Sequence, residues 1–275
     1  MGEPALVERF GDSGYERIRL WLNDRCGIHY AEKKKELLAQ RLARVLERFN
    51  IDNLDDLAID VETGLKEEVQ LAVMHAASTN HTYFFREPQV LKFFSDSILP
   101  LLAHQREVRI WSAATATGDE AYTLAMLIAE ALGCEQAANC FSILGTDISA
   151  PVIKHAESAI YGMSHLEQTP EHFLNRYFAH TDDNEYRIVP QIRPMCTFRR
   201  LNLKAQPYPF RRLFDVVFCR NVLYYFDHEH QYRTLEALYN ATEPGGWLLT
   251  SLTESVRDMG TRWCWVGGGI YRKLA

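Results

Sequence analysis

Four short apolar runs organise the chain from about residue 107 onward, and the stretches that separate them include segments of helical patterning. V-R-I-W-S-A (108–113), F-S-I-L-G-T-D (141–147), F-D-V-V-F-C-R (214–220) and W-L-L-T-S-L (247–252) each have the length and composition of a buried strand. Helical segments over 119–132, 150–159 and 230–240 fall between them. Asp119 and Glu120 suit a first helical turn, where carboxylates meet the positive end of the helix dipole. Such alternation leaves few folds open and predicts an α/β, doubly wound sheet. I-Y-R-K-L (270–274) predicts a last strand paired at a sheet edge.

Two regions stand outside this rhythm. Residues 1–75 are rich in Leu, Glu, Lys, Arg and Ala and read as helical. Over 30–50, Leu38, Leu42, Val45 and Phe49 fall on one stripe at helical spacing. Leu37, Arg41, Arg44 and Arg48 fall on the neighbouring stripe, with Lys34 close by. This basic ridge is either a solvated face or a docking surface for an acidic partner. Residues 184–201 alternate like short antiparallel strands and predict a small β insertion, with Pro190 and Pro194 at its edges or turns. Between Tyr186 and Phe214 lie seven bases, Arg187 and Arg193 among them, and no acid.

Composition excludes several classes. Acids outnumber bases 36 to 30, a net charge of −6, which weighs against a general nucleic-acid binder. No apolar run approaches the roughly 20 residues that span a bilayer. The N-terminus is acidic without an apolar core, unlike a signal peptide. The six cysteines lack C-x-x-C or zinc-ligand spacing and read as reduced thiols of a cytoplasmic protein. His228 and His230 read as part of a solvated loop, so no metal is expected.

Ligands of open α/β sheets bind beyond the carboxyl ends of the strands. The first strand ends in A-A-T-A-T-G-D-E (113–120), whose small residues admit close backbone approach, although a single glycine falls short of the G-x-G-x-x-G fingerprint. Asp147 ends the second strand, placed either to accept hydrogen bonds from ribose hydroxyls or to cap the next helix. Arg220 and Asn221 end the third.

These same segments carry a resemblance. T-N-H-T-Y-F-F-R-E (79–87), R-I-W-S-A-A-T-A-T-G-D-E-A-Y-T-L-A-M (109–126), T-D-I-S (146–149), F-D-V-V-F-C-R-N-V-L-Y-Y-F-D (214–227), and P-G-G-W-L (244–248) with S-L-T-E-S (251–255), are similar, in order, to the motifs of CheR-type chemoreceptor glutamate methyltransferases. The resemblance implies a helical N-terminal domain (1–75), a linker with cofactor contacts (76–106) and a Rossmann-like methyltransferase domain (107–275) with a small β subdomain at about 184–201. It implies S-adenosylmethionine as cofactor, S-adenosylhomocysteine as product and no metal. Carried over position by position, the cofactor contacts are Asn80, Thr82, Arg86, Glu120, Asp147, Asn202, Leu203, Arg220 and Asn221, and the catalytic residues are Arg86 and Tyr225. Ala116 stands where a serine is common and removes one hydroxyl from the expected contacts.

The implied substrate is glutamate on the cytoplasmic helices of a chemoreceptor, met by a monomer without membrane insertion. Lys34, Arg41, Arg44, Arg48, Arg187 and Arg193 are then expected to straddle the acidic helix surface. Three rivals stay open. A dinucleotide oxidoreductase lacks its glycine fingerprint here, an RNA methyltransferase lacks aromatic–basic interleaving, and a non-catalytic adaptor would retain the fold without needing the polar set.

Overall fold

The computed structural model describes residues 12–31, 34–78, 81–181 and 183–275. Helices α1 (Asp12–Cys26), α2 (Lys35–Phe49), α3 (Leu54–Thr63) and α4 (Glu67–Ala77) come first. The apolar stripe of α2 turns inward: Leu38, Leu42 and Val45 are buried, and Phe49 packs at the rim of a core shared with Tyr15, Leu22, Leu57 and Val73. Each fully buried leucine contributes about 1.5–3 kcal/mol. Helix α3 starts on Asn53, whose side chain accepts the Asp56 N–H at 2.9 Å. A Cβ on Gly14 would stand 2.4 Å from the Leu54 backbone, so α1 crosses the start of α3 at backbone contact. Glycine is required there by space.

Helix α5 (Pro88–Phe93) runs through a π turn at Phe94–Ile98 into α6 (Leu99–Leu102). It lies against the sheet, with Phe94 edge-on to Phe218 at 5.5 Å. The second domain then proceeds as β1 (Val108–Ser112), α7 (Asp119–Leu132), α8 (Cys134–Cys140), β2 (Phe141–Asp147), α9 (Ala150–Ser158), β3 (Ile160–Tyr161), α10 (Met163–Leu166), α11 (Glu171–Tyr177), β4 (Phe178–His180) and β5 (Tyr186–Ile188). It ends with β6 (Cys196–Arg200), β7 (Phe214–Phe218), α12 (His228–Asn240), β8 (Thr242–Leu249), β9 (Cys264–Gly267) and β10 (Ile270–Arg272).

The main sheet has the order β6-β2-β1-β7-β8-β10-β9. Its first five strands pair in parallel, and β10 and β9 are antiparallel additions. From β1 the chain winds outward through β2 to β6, then returns to β7 on the other side of β1. The order therefore reverses between β1 and β7, which opens a crevice at their carboxyl ends.

Two expectations need correcting. Of residues 184–201, only Tyr186–Ile188 joins the small antiparallel sheet, whose order is β3-β5-β4. Cys196–Arg200 is instead a parallel edge strand paired with β2. An edge strand buries one face, here Phe198 against Tyr122 at 5.4 Å, and leaves Thr197 and Arg199 outside. Its alternation therefore mimics an antiparallel strand. The strand at 270–272 is also internal, because β9 covers its outer side.

Candidate active site

The turn after β1 is shaped for close approach. Gly118 has φ 90°, and a Cβ there would meet Ala156 at 2.8 Å. Ala116 has φ 47°, a left-handed conformation that carries strain in a non-glycine residue. The tip of β2 holds this turn. Asp147 accepts the Ala116 N–H at 3.1 Å on one oxygen and the Ser149 N–H at 3.0 Å on the other. Burial pushes the Asp147 carboxyl up, against these N–H groups, which favour the ionised form. Asp147 therefore braces both flanking turns and keeps further lone pairs for a ligand.

A buried ion cluster closes the floor. The Arg220 side chain, 3% exposed, donates to Glu120 at 2.8 Å, to Glu87 at 3.2 Å and to the Arg86 carbonyl at 2.6 Å. Glu120 also accepts the Ser112 hydroxyl at 2.7 Å. Glu87 accepts the Ser251 hydroxyl at 2.6 Å and the Asn221 amide at 3.2 Å. Burial raises the Glu87 carboxyl, but Ser251, Arg220 and Asn221 outweigh it and hold it below the ordinary range. Beneath them Glu254 accepts the N–H groups of Asn221 at 2.6 Å and Leu223 at 2.8 Å. Burial nonetheless raises its carboxyl. Phe85, Glu87 and Asn221 have φ of 60°, 54° and 58°. Backbone strain of about 1–3 kcal/mol per residue is tolerated where surrounding bonds over-determine the geometry.

These elements enclose a cleft of about 210 Å³. Thr82, Arg86, Glu120, Asp147, Asn202, Leu203, Arg220, Asn221 and Tyr225 all line it. Asn80 lies outside the described residues. Arg86 donates to the His81 carbonyl at 3.0 Å and lies 5.8 Å from the Tyr83 ring centre. The Tyr225 hydroxyl is 3.3 Å from that of Tyr224, whose pKa burial raises. Asn202 is occupied: its amide donates to the Arg25 carbonyl at 2.7 Å and its oxygen accepts the Lys204 N–H at 3.0 Å. It thus ties the helical domain to the cleft wall, which Cys26 and Ile28 help to form. Glu87, Ser251 and Glu254 complete this floor; each sits inside one of the motifs above, but their role depends on contacts distant along the chain, which no local pattern marks.

Two basic residues of the expected docking set are engaged elsewhere. Arg41 donates to the Tyr30 hydroxyl at 3.2 Å and to the Ala76 carbonyl at 3.3 Å, clasping the end of α4. A helix C-terminus presents unpaired carbonyls that attract a cation. Arg193 lines a shallow depression with Tyr122 and Glu157 near the amino end of β6, away from the cleft. Lys34, Arg44, Arg48 and Arg187 remain exposed.

The all-alpha domain of CheR methyltransferases matches residues 13–74, and the S-adenosylmethionine (SAM) binding domain of CheR methyltransferases matches residues 80–267. The chain belongs to the CheR methyltransferase family. The chemotaxis protein methyltransferase of Vibrio parahaemolyticus is 32% identical over 252 residues, 90% of this chain and 91% of that one. Chemotaxis protein methyltransferase 2 of Pseudomonas aeruginosa is 33% identical over 246 residues, 88% of this chain and 86% of its own. The Escherichia coli K12 chemotaxis protein methyltransferase is 30% identical over 273 residues, 97% of this chain and 93% of its own. The fold is accordingly the CheR one, an all-helical domain followed by a Rossmann-like methyltransferase domain with a small antiparallel sheet.

The cleft residues fit such a cofactor. Thr115 Oγ1 and Arg220 Nε are buried without a hydrogen-bond partner among the described residues, and Thr115 and Arg220 both line the cleft. Glu120 and Asp147 supply acceptors for ammonium and hydroxyl groups, and Leu203 and Ile148 supply apolar surface. Among the described residues no cluster of His, Cys, Asp and Glu is placed to hold a metal, and no helix is long and apolar enough to cross a membrane.

A histidine beside this turn sets a pH dependence. His165 Nδ1 is 2.6 Å from Asp119, whose side chain is fully buried and also accepts the Thr117 hydroxyl at 2.6 Å. The Asp119 hydrogen bond raises the His165 pKa, opposed by burial. A raised folded pKa adds stability that is complete below the unfolded value, about 6.5, and disappears as pH rises through the folded one. Thermal stability is therefore expected to fall above pH 6.5, and His165→Gln to flatten that slope. Identical slopes in melts of the two proteins from pH 6 to 9 would contradict the assignment.

Proposed function

We propose that this chain transfers a methyl group from SAM to glutamate side chains on the cytoplasmic helices of a chemoreceptor, giving glutamate methyl esters and S-adenosylhomocysteine. The observation that carries the reading is one cleft joining Glu120, Asp147 and the Thr115 hydroxyl, which has no partner among the described residues, to a mouth formed by Arg86, Tyr224 and Tyr225. When bound, the cofactor supplies an electrophilic methyl group on a sulfonium. Asp147, Glu120 and Thr115 would hold it by hydrogen bonds and charge, and Leu203 and Ile148 would offer apolar surface.

A glutamate of pKa about 4.3 is already ionised at neutral pH, so the site needs no general base. Positioning and exclusion of water are what the protein must provide. Arg86 directs one carboxylate oxygen with a single N–H, because a full bidentate pair would weaken the nucleophile. Tyr225 orients the approach through its hydroxyl. Mass-spectrometric mapping of a receptor fragment after incubation with enzyme and SAM should find the esters on glutamate. Modification confined to another residue type would dismiss the reading.

Lys34, Arg44 and Arg48 are exposed, and Lys34 Nζ lies 5.9 Å from the Tyr225 ring centre. The N-terminal end of this ridge therefore approaches the mouth. Opposite charge accelerates encounter with an acidic helix and fixes its register. Replacing all three by alanine is expected to raise the receptor KM roughly tenfold at low salt and to leave cofactor affinity alone. Exposed charges separated by more than about 8–10 Å are screened at 0.1–0.15 M salt. A receptor kcat/KM that does not vary with salt would remove the ridge from the account.

A further inference from the structure

Tyr224, Leu252, Trp265 and Val266 are 50%, 47%, 45% and 45% exposed. Scattered exposed apolar residues are ordinary, but contiguous ones mark a contact surface. Tyr224, Leu252 and Trp265 are linked. The Glu254 carboxylate accepts the N–H of Tyr224 at 3.4 Å and that of Ser251, next to Leu252, at 3.3 Å. The Leu252 Cδ2 lies 3.4 Å from where a Cβ on Gly268 would stand, and the Gly268 carbonyl accepts the Trp265 indole N–H at 3.0 Å. A buried carboxylate thus holds one end of a ledge that runs from the cleft mouth to the edge strand β9.

The ledge has a length and a charge pattern. From β7, which leads to Tyr224, to β9 there are three strand spacings, about 14 Å at ~4.8 Å each. That matches between two and three turns of an α-helix, at ~5.4 Å per turn. Cations stand at both ends: Arg257 lies 4.5 Å from the Trp265 ring centre, and Arg86 and Lys34 lie at the mouth. We propose that the ledge docks an acidic amphipathic helix, the one that carries the target glutamate, with its apolar stripe on Tyr224, Leu252 and Trp265. The proposal rests on the methyl-transfer reading and adds that apolar residues flanking the glutamate set specificity. Continuity with the mouth and the cationic ends select this occupant over a second copy of the chain.

Two synthetic helical peptides test it. Both carry a central glutamate and acidic flanks, one with leucines three and four residues to either side and the other with glutamines there. The wild-type enzyme is expected to methylate the leucine peptide with a kcat/KM roughly tenfold higher, the scale of a modest interface anchor. In the double variant Trp265→Ser, Leu252→Ser, this preference should collapse through KM, with kcat and SAM affinity by calorimetry unchanged. Equal use of the two peptides by the wild type, or an intact preference in the variant, overturns the ledge. So does a wild-type dimer in sedimentation that the variant abolishes at unchanged KM, because a second copy would then own the face. If the wild type labels neither a receptor fragment nor a peptide, methyl transfer to glutamate itself fails, a result distinct from transfer without preference.

Discussion

Replacing Arg220 by methionine is expected to lower stability by about 3–5 kcal/mol and to abolish SAM binding. The guanidinium is 3% exposed and sits between two carboxylates, Glu87 at 20% and Glu120 at 13%. Methionine fills much of the volume but leaves both acids without their cation, and an uncompensated buried charge is more costly than a lost surface pair. The change also alters pH dependence. Glu87 titrates below the ordinary range in the folded protein. It therefore adds stability above its unfolded pKa that is lost as pH falls through the folded one. The variant should lose part of this acid-sensitive contribution. Arg220→Lys restores charge without the planar fork and should recover stability more than binding. Chemical denaturation and calorimetry check both, and wild-type behaviour of the methionine variant would refute the role of the cluster.

The second large effect concerns Arg86. Its alanine variant is expected to lower kcat about 100-fold, the scale of a misplaced reacting group, while SAM affinity changes little. The reason is its place at the mouth, anchored to the His81 carbonyl and beside the Tyr83 ring. Arg86→Lys should recover a small part, since an ammonium keeps the charge and loses the fixed fork. A parallel fall in SAM affinity and kcat/KM would instead assign Arg86 to the carboxylate of the cofactor. The comparison separates two roles that the same side chain is able to fill.

Much of the cleft was legible because it is built at strand tips. An apolar run that stops at Asp147, or at Arg220 and Asn221, announces a polar group at the carboxyl edge of a sheet. The stripe of α2 was legible for the same local reason, a period of 3.6 residues. What the sequence did not disclose is set by contacts distant along the chain. Glu87 meets Arg220 across 133 positions, and Asn202 meets the Arg25 carbonyl across 177. Arg41 shares a helical stripe with Arg44 and Arg48, yet it alone reaches the carbonyls ending α4. Charge and spacing identify such a ridge but not which members fold inward. Residues 196–200 are ambiguous in the sequence because a parallel strand at an edge, buried on one face, carries the same alternation as an antiparallel one.

The central claim is that this cleft esterifies a carboxylate of a receptor. Its most direct measurement incubates the enzyme with methyl-labelled SAM and receptor-containing membranes, then counts receptor-bound label before and after mild base. The expected result is label on the receptor that base releases as methanol, that requires Arg86 and Arg220, and that declines as salt rises. Label that survives base, or a receptor left unlabelled by an enzyme that binds SAM, would contradict it and favour an adaptor that keeps the methyltransferase fold without its reaction.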